Sequence, residues 1–268
     1  MRLGFVLLAA LAPMTAFAVD GVVLINQANA LAGNVTPGDA PGFPVVISQP
    51  GSYKLSSNLT IADPFGTVIF INADNVTLDL NGFTIQGPSV CNGAGRTPTT
   101  SCTISNTESV GIDASQHTGI KILNGFIRGM GFLGIVCLGD AHVEGINASL
   151  NASGIQATGV IIHNIMNYNL SAGFNGGGVV RENEANGNNI GFLAGLVLGA
   201  VVENNTANFN SGYGFFGQTG TTVVSGNSAK GNGTANILVA CPGSITGNSG
   251  SIAFDGSSTG CVLANNSN

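Results

Sequence analysis

The chain has 268 residues and combines 41 glycines and 31 asparagines, together more than a quarter of the sequence, with only 7% charged residues. This much glycine excludes an ordinary helical protein, and a hydrophobic fraction of 44% excludes a disordered chain. The formal net charge of −6 provides no basic surface for nucleic acid or an anionic membrane, so we expect neither as a partner.

The first 18 residues predict a cleaved signal peptide. Arg2 precedes an apolar run from Phe5 to Leu11, and Ala16-Phe17-Ala18 has the small-x-small pattern that signal peptidases cut. The run is about half as long as a membrane span requires. We therefore expect a mature chain that starts at Val19, has no membrane span and is secreted to the periplasm or the extracellular medium.

The next segments predict a cap and an insertion around repeats that begin at residue 45. Residues 19–44 contain three prolines and are expected to form an N-terminal cap over the first repeat. Asn75 to Ile85 alternates apolar and polar residues, as a half-buried strand does. Residues 86–109 then interrupt the pattern and predict an inserted loop, which a Cys91–Cys102 disulfide would close.

Short apolar segments recur about every twenty residues along the rest of the chain. One series, at intervals of 18 to 22 residues, consists of Ile122, Val143, Ile161, Val180, Val202, Val224 and Ile245. A second series, 12 or 13 residues after the first, consists of Ile135, Ile155, Phe174, Phe192, Phe215 and Ile237. Glycine or asparagine interrupts each run within a few residues, which argues against helices and predicts two or more short strands per repeat.

Asparagine occupies two fixed positions between these series. Three residues after the first series it occurs at Asn164, Asn183, Asn205, Asn227 and Asn248. Eight residues after the first series it occurs at Asn151, Asn169, Asn188, Asn210 and Asn232. Asparagine tolerates the left-handed backbone of tight turns, and its amide both donates and accepts hydrogen bonds. Stacked at a strand spacing of about 4.8 Å, these amides predict two structural ladders along a solenoid.

Units such as Val201–Asn210 and Val223–Asn232 resemble the right-handed parallel β-helix repeat proteins of the pectin-lyase-like superfamily, and Asn75–Ile85 is similar to the entry coils of secreted bacterial members. The resemblance covers roughly residues 45–264. It implies an all-β fold, a right-handed single-stranded parallel β-helix (solenoid) of about nine or ten coils, over residues 45–268.

Cysteine positions fit a secreted solenoid. Cys241 and Cys261 lie one period apart, and a disulfide between them would join the last two coils. Cys137 lies in an apolar run and is expected to be a buried thiol. The cysteines lack the spacing of metal ligands, and we expect neither a metal nor a cofactor.

A small group of charged residues supports two interpretations. Its members, at neighbouring positions of the repeat, are Glu144, His163, Arg181, Glu182, Glu184 and Glu203. In the first, Glu182, Glu184 and Glu203 are acids and bases for glycosidic-bond cleavage, with His163 as proton carrier and Arg181 as ligand of a uronate. In the second, which we favour, they form an exposed row of ion pairs, with Arg181 opposite Glu203 and His163 opposite Glu182. Tyr168 and Tyr213, near turns, are further candidates for binding sugars.

The function follows less directly than the fold. The calcium-binding aspartates of pectate lyases, the paired aspartates of polygalacturonases and the Asp-Pro-His-Asp signature of alginate-modifying members are missing from the matching positions. We therefore expect a non-catalytic secreted β-helix that binds a polysaccharide or cell-surface glycan, or serves as an extracellular structural protein. The alternative is a polysaccharide lyase, glycoside hydrolase or epimerase. Both a monomer and an edge-to-edge assembly through the C-terminal coil are compatible with the sequence.

Overall fold

A computed structural model describes residues 21–92, 101–103, 108–194, 200–217 and 222–268. The predicted signal peptide lies outside the described residues. Within these residues, the chain forms one helix and 24 strands, wound into a parallel β-solenoid of about nine turns. The predicted architecture is thereby confirmed. The right-handed sense of the coil stays a prediction.

Short strands separated by turns follow one another along the described part of the solenoid, and the one described helix lies near its N-terminal end. The N-terminal third contains β1 (Val23–Ile25), α1 (Gln27–Ala32), β2 (Val45–Ile47), β3 (Gly51–Leu55), β4 (Leu59–Thr60), β5 (Thr67–Ile71), β6 (Val76–Asp79), β7 (Thr84–Gln86), β8 (Val90–Asn92) and β9 (Ser101–Thr103). The central coils contain β10 (Val110–Asp113), β11 (Ile120–Arg128), β12 (Leu133–Ala148), β13 (Ser153–Ile162), β14 (Ala172–Arg181), β15 (Ile190–Ala194) and β16 (Val201–Glu203). The last coils contain β17 (Thr206–Asn208), β18 (Tyr213–Gly217), β19 (Thr222–Ser225), β20 (Ser228–Lys230), β21 (Ala235–Val239), β22 (Gly243–Thr246), β23 (Ile252–Phe254) and β24 (Cys261–Ala264).

The two predicted apolar series are confirmed as stacked columns of the core. The first, called the Val180 column, pairs in register through Leu78, Ile122, Val143, Ile161, Val180, Val202, Val224, Ile245 and Leu263. The second, called the Phe192 column, pairs through Ile69, Ile112, Ile135, Ile155, Phe174, Phe192, Phe215, Ile237 and Ile252. The Phe192 and Phe215 rings stack with centroids 4.9 Å apart, so the interior is one continuous apolar core.

The N-terminal region contributes a strand and a short helix to the solenoid. Strand β1 pairs in parallel with β3, and α1 follows it. Asn26 caps α1, because its Oδ1 accepts the Asn29 N–H and the Asn29 Oδ1 accepts the Asn26 N–H. Ala30 is fully buried in the common core. The cap over residues 19–44 stays a prediction, and the helix was not predicted from the sequence.

The two asparagine ladders, called the inner ladders, are confirmed. The Asn183 Oδ1 accepts both the backbone N–H and the Nδ2 of Asn164, one coil earlier, at 2.9 and 3.0 Å. The Asn183 Nδ2 in turn donates to the Asn205 Oδ1 at 3.0 Å and to the Ile161 carbonyl at 2.8 Å. Both ends of the buried Asn183 amide thus have hydrogen-bond partners, which buried polar groups require. The first inner ladder continues beyond its predicted members to Asn266, which accepts from Asn248.

A third row of asparagines, the outer ladder, was not predicted. The Asn167 Oδ1 accepts the Asn186 N–H at 2.7 Å, and the Asn186 Oδ1 accepts the Asn208 N–H at 2.7 Å. The Asn208 Oδ1 then accepts the Lys230 N–H at 2.8 Å. These residues are half-buried and lie six residues after the first apolar series, so the same alignment could have revealed them.

The cysteines divide into three cases. The predicted Cys241–Cys261 disulfide is confirmed. Cys137 is free and buried, and burial raises the pKa of its thiol to about 12, with the charges of Asp113 and Asp140 acting in the same direction. The Cys91 and Cys102 backbones pair directly in the antiparallel β8–β9 hairpin. Their side chains lie outside the described part of the chain, so that disulfide stays a prediction.

Candidate functional site

Each coil turns sharply two residues after the Val180 column. At this position φ is between 54° and 66° in eight coils, at Asn124, Gly145, His163, Glu182, Asn204, Gly226, Gly247 and Asn265. Asparagine and glycine adopt this left-handed conformation readily, whereas a glutamate there costs about 1 kcal/mol or more. His163 and Glu182 are adjacent in this row, so the turns bring two ionisable side chains together. Bulky residues also adopt the left-handed conformation five residues further along the coils, at Leu150, Tyr168 and Phe209.

Four residues from three coils form a connected group, called the His–Glu cluster. The His142 Nε2 lies 2.8 Å from the Glu144 Oε2. The His163 Nδ1 lies 3.5 Å from the Glu144 Oε1, and its Nε2 lies 2.5 Å from the Glu182 Oε2. Each imidazole of the cluster therefore contacts at least one carboxylate. His163 and Glu182 are about half exposed, so solvent screens the pair and its contribution to stability is under about 1 kcal/mol.

We predict a pH-dependent contribution of Glu144 to stability. The hydrogen bond from His142 lowers the pKa of the Glu144 carboxyl, and His163 acts in the same direction. A carboxyl whose folded-state pKa is lowered stabilises the protein above its ordinary pKa of about 4.3, and this contribution is lost as the pH falls through the folded value. Glu144→Gln should therefore flatten the acid side of a thermal-midpoint curve recorded from about pH 6 to pH 3. A curve parallel to that of the unmodified chain would contradict the assignment.

The other charged candidates have separate partners. The predicted pairing of Arg181 opposite Glu203 is present in the backbone register, but no salt bridge within 4.0 Å joins these two side chains. The Glu203 Oε1 instead accepts from the Ser225 hydroxyl at 3.1 Å. The Glu184 Oε1 accepts from the amides of Asn167 and Asn186 at 2.8 and 2.6 Å. Among the four predicted catalytic residues, the one side-chain hydrogen bond that the described part of the chain shows is between His163 and Glu182, while the Glu182 backbone N–H donates to the Glu203 carbonyl at 3.2 Å.

The two tyrosines lie away from each other along the coil. Tyr168 occupies a second left-handed turn at φ 58°, with its ring against Gly187. Tyr213 begins β18, beside the Phe192 column, and its ring stacks on Phe216 with centroids 4.9 Å apart. Their role in ligand binding stays a prediction.

A small depression, called the Gly145 notch, lies next to the His–Glu cluster. Its volume is about 310 Å³, and it is lined by Gly82, Asn124, Gly125, Phe126, Gly145, Ile146, Asn147, His163 and Ile165. Gly145 leaves a gap in the row of turn residues between Asn124 and His163. At the matching positions of the preceding and following coils, Phe126 and Ile165 flank the half-buried Asn147 and are 45% and 40% exposed.

The notch has the composition of a small binding site. Pockets that hold small molecules are mostly apolar, include aromatic side chains and carry a few placed polar groups. Here Phe126 and Ile165 supply the apolar walls, while Asn124, Asn147 and His163 supply polar groups. The notch was not predicted from the sequence. The repeat alignment could have placed Phe126, Asn147 and Ile165 in one column, but the opening itself results from the missing side chain at Gly145.

The described residues contain neither a candidate membrane span nor a candidate metal site. Within the described ranges, no helix has the length and apolar character of a membrane span. The same residues contain no group of three or more His, Cys, Asp or Glu side chains arranged to hold a metal ion.

Comparison with known proteins adds a structural likeness. No protein-family model matches the chain, and no curated protein matches it either. The crystal structure of the Dettilon tailspike protein is similar over 83% of this chain, with a TM-score of 0.41 and 14% sequence identity. This chain spans 56% of the length of that protein. The class assigned here, a parallel β-solenoid, therefore rests on the strand pairings described above.

Proposed function

We propose that this chain is a secreted, non-catalytic β-solenoid that binds a glycan in the Gly145 notch. One observation carries the proposal: two exposed apolar side chains, Phe126 and Ile165, flank a recess that also presents the polar side chains of Asn124, Asn147 and His163. Pyranose rings have apolar C–H faces and polar hydroxyl rims, which match this arrangement. The Cys241–Cys261 disulfide is compatible with an oxidising compartment outside the cytoplasm.

Retention on immobilised polysaccharides tests the proposal. The mature chain, residues 19–268, is passed over a panel of neutral and acidic polysaccharides, and we expect it to be retarded on at least one. Phe126→Ala should lose at least tenfold in affinity, because it removes the aromatic wall of the notch. Phe132→Ala is the matched control, since Phe132 is 53% exposed and does not line the notch. Equal retention of both variants would overturn the proposal.

Catalysis on a polysaccharide remains the second candidate, because His163 contacts both Glu144 and Glu182 beside the notch. An imidazole between two carboxylates can transfer a proton to or from a bound sugar. Incubation with the same panel, followed by chromatography for new oligosaccharides, tests this candidate. Product that disappears with Glu182→Gln would replace the binding role by an enzymatic one.

Edge-to-edge assembly is a separate hypothesis. Val262 and Leu263, on the last strand β24, are 62% and 50% exposed. Molecular mass measured by light scattering over a hundredfold range of concentration tests it. A mass that rises with concentration supports assembly, and a constant monomer mass contradicts it.

A further inference from the structure

We infer that the Gly145 notch selects an uncharged acetamido sugar and rejects uronates. The inference rests on the proposed glycan-binding function and specifies the ligand of the same site. Three features carry it: the orientation of the Asn124 amide, the apolar walls, and the carboxylates behind the polar residues of the notch.

The Asn124 amide presents an acceptor to the notch. Its Nδ2 donates to the Asp79 Oδ1 at 3.3 Å, and a carboxylate can only accept, so this contact determines which end of the amide is nitrogen. The Oδ1 then faces the other way, 3.0 Å from the point where a Cβ on Gly145 would stand. An acceptor directed at the floor of the notch suits a ligand that brings an N–H donor.

The walls suit a methyl group. Phe126 and Ile165 expose apolar surface on the two sides of Asn147, whose amide provides both a donor and an acceptor. An acetamido substituent combines these requirements, because it has a methyl group, an N–H and a carbonyl within a few ångströms. A plain hexose offers the apolar walls only the C–H face of its ring, because it lacks the methyl group and the N–H of an acetamido substituent.

The surrounding charges disfavour an acidic sugar. The Glu144 and Glu182 carboxylates contact the two ring nitrogens of His163, and the Asp79 carboxylate holds Asn124. Lys54 neutralises Asp79 at 3.3 Å. Lys121, Arg128 and Arg181 are exposed cations on the neighbouring coils, but none of them lines the notch or forms a salt bridge with the cluster. Arg128 instead donates to the Gln86 Oε1 at 3.0 Å. A uronate in the notch would meet uncompensated carboxylates, which weakens binding by about tenfold at separations near 6 Å.

Calorimetric titration with three oligosaccharides of equal length tests the inference. The probes are tetramers of N-acetylglucosamine, glucose and galacturonate, titrated at the same pH and ionic strength. We expect the acetamido tetramer to bind at least tenfold more tightly than the other two. Phe126→Ala should abolish that preference and Phe132→Ala should retain it. Arg181→Ala should leave all three affinities unchanged, whereas the double variant Glu144→Gln, Glu182→Gln should strengthen galacturonate binding selectively.

The outcomes separate the inference from the function beneath it. Phe126-dependent binding of glucose or galacturonate that equals or exceeds acetamido binding overturns the selectivity and leaves glycan binding intact. Loss of galacturonate binding in Arg181→Ala overturns the selectivity too, because Arg181 would then be the anchor of an acidic sugar. Failure of the chain to be retained on any polysaccharide of the panel overturns the proposed function, and the inference with it.

Discussion

Replacing Asn205 with alanine is expected to lower the free energy of unfolding by about 3 to 5 kcal/mol. Asn205 is buried in the first inner ladder, where its Oδ1 accepts the N–H and the Nδ2 of Asn183 at 2.9 and 3.0 Å. Its Nδ2 donates to the Val180 carbonyl at 2.8 Å and to the Asn227 Oδ1 at 3.0 Å. Alanine removes these four hydrogen bonds and leaves the buried backbone N–H of Asn183 without its acceptor, which alone costs about 1 to 3 kcal/mol. The Asn183 Nδ2 still donates to the Ile161 and Arg181 carbonyls.

Urea denaturation followed by circular dichroism measures this effect, and Asn208→Ala is its matched control. Asn208 belongs to the half-buried outer ladder, and its Oδ1 accepts a single N–H, that of Lys230 at 2.8 Å. We expect its replacement to cost about 1 kcal/mol. Asn205→Asp keeps the side-chain volume but removes both Nδ2 donors and brings a charge into the core, so it should be at least as destabilising as alanine. Equal losses of unfolding free energy for Asn205→Ala and Asn208→Ala would show that the inner ladder contributes no more to stability than the outer ladder.

Replacing Gly145 with asparagine is expected to abolish glycan retention while leaving the thermal midpoint nearly unchanged. Gly145 has a left-handed backbone with φ 66°, and asparagine already occupies this turn position at Asn124 and Asn204. The backbone therefore accepts the new residue, but its side chain occupies the notch between Asn124 and His163. A Cβ at this position meets only the flexible end of Asn124, at 3.0 Å, so the fold can adjust.

Gly247→Asn provides the control for this prediction. Gly247 has the same turn position and φ 63°, and a Cβ there would have open space, with the nearest atom at 3.9 Å. We expect this variant to bind as the unmodified chain does. Retention measured on the polysaccharide that the unmodified chain binds decides between the outcomes. Normal binding by Gly145→Asn would exclude the notch as the site, and loss of binding in both variants would indicate a general effect of the substitution on the turns.

Periodicity made the core of this protein predictable. Every coil places apolar residues at the same positions of its strands. One alignment of the repeats therefore correctly paired Val180 with Val202 and Phe174 with Phe192. The same alignment placed the inner-ladder asparagines, because a buried turn must satisfy the same hydrogen bonds at each level. The outer ladder follows the same rule, but asparagine occupies its position in only three coils before Lys230 replaces it. Three asparagines give a weaker sequence pattern than the five at each inner-ladder position.

The candidate site was predicted less well because it depends on exceptions to the repeat. The register correctly placed His163 beside Glu182 and Arg181 opposite Glu203. The partners of the side chains were not predictable in the same way, since Glu203 bonds to Ser225 and Glu184 bonds to two asparagine amides. Register determines which backbones are adjacent, whereas side-chain rotamers and competing donors determine which contacts form.

The amino-acid sequence by itself determined the solenoid, its apolar columns, its inner ladders and the Cys241–Cys261 link, because each follows from spacing along one repeated coil. The tertiary structure alone decided where the surface opens. The Gly145 notch exists because Gly145 has no side chain, whereas Asn124 and His163, at the same turn position of the coils before and after it, have larger ones. Such a recess depends on the relative volumes of residues about twenty positions apart, and only the stacking of the coils brings those volumes together.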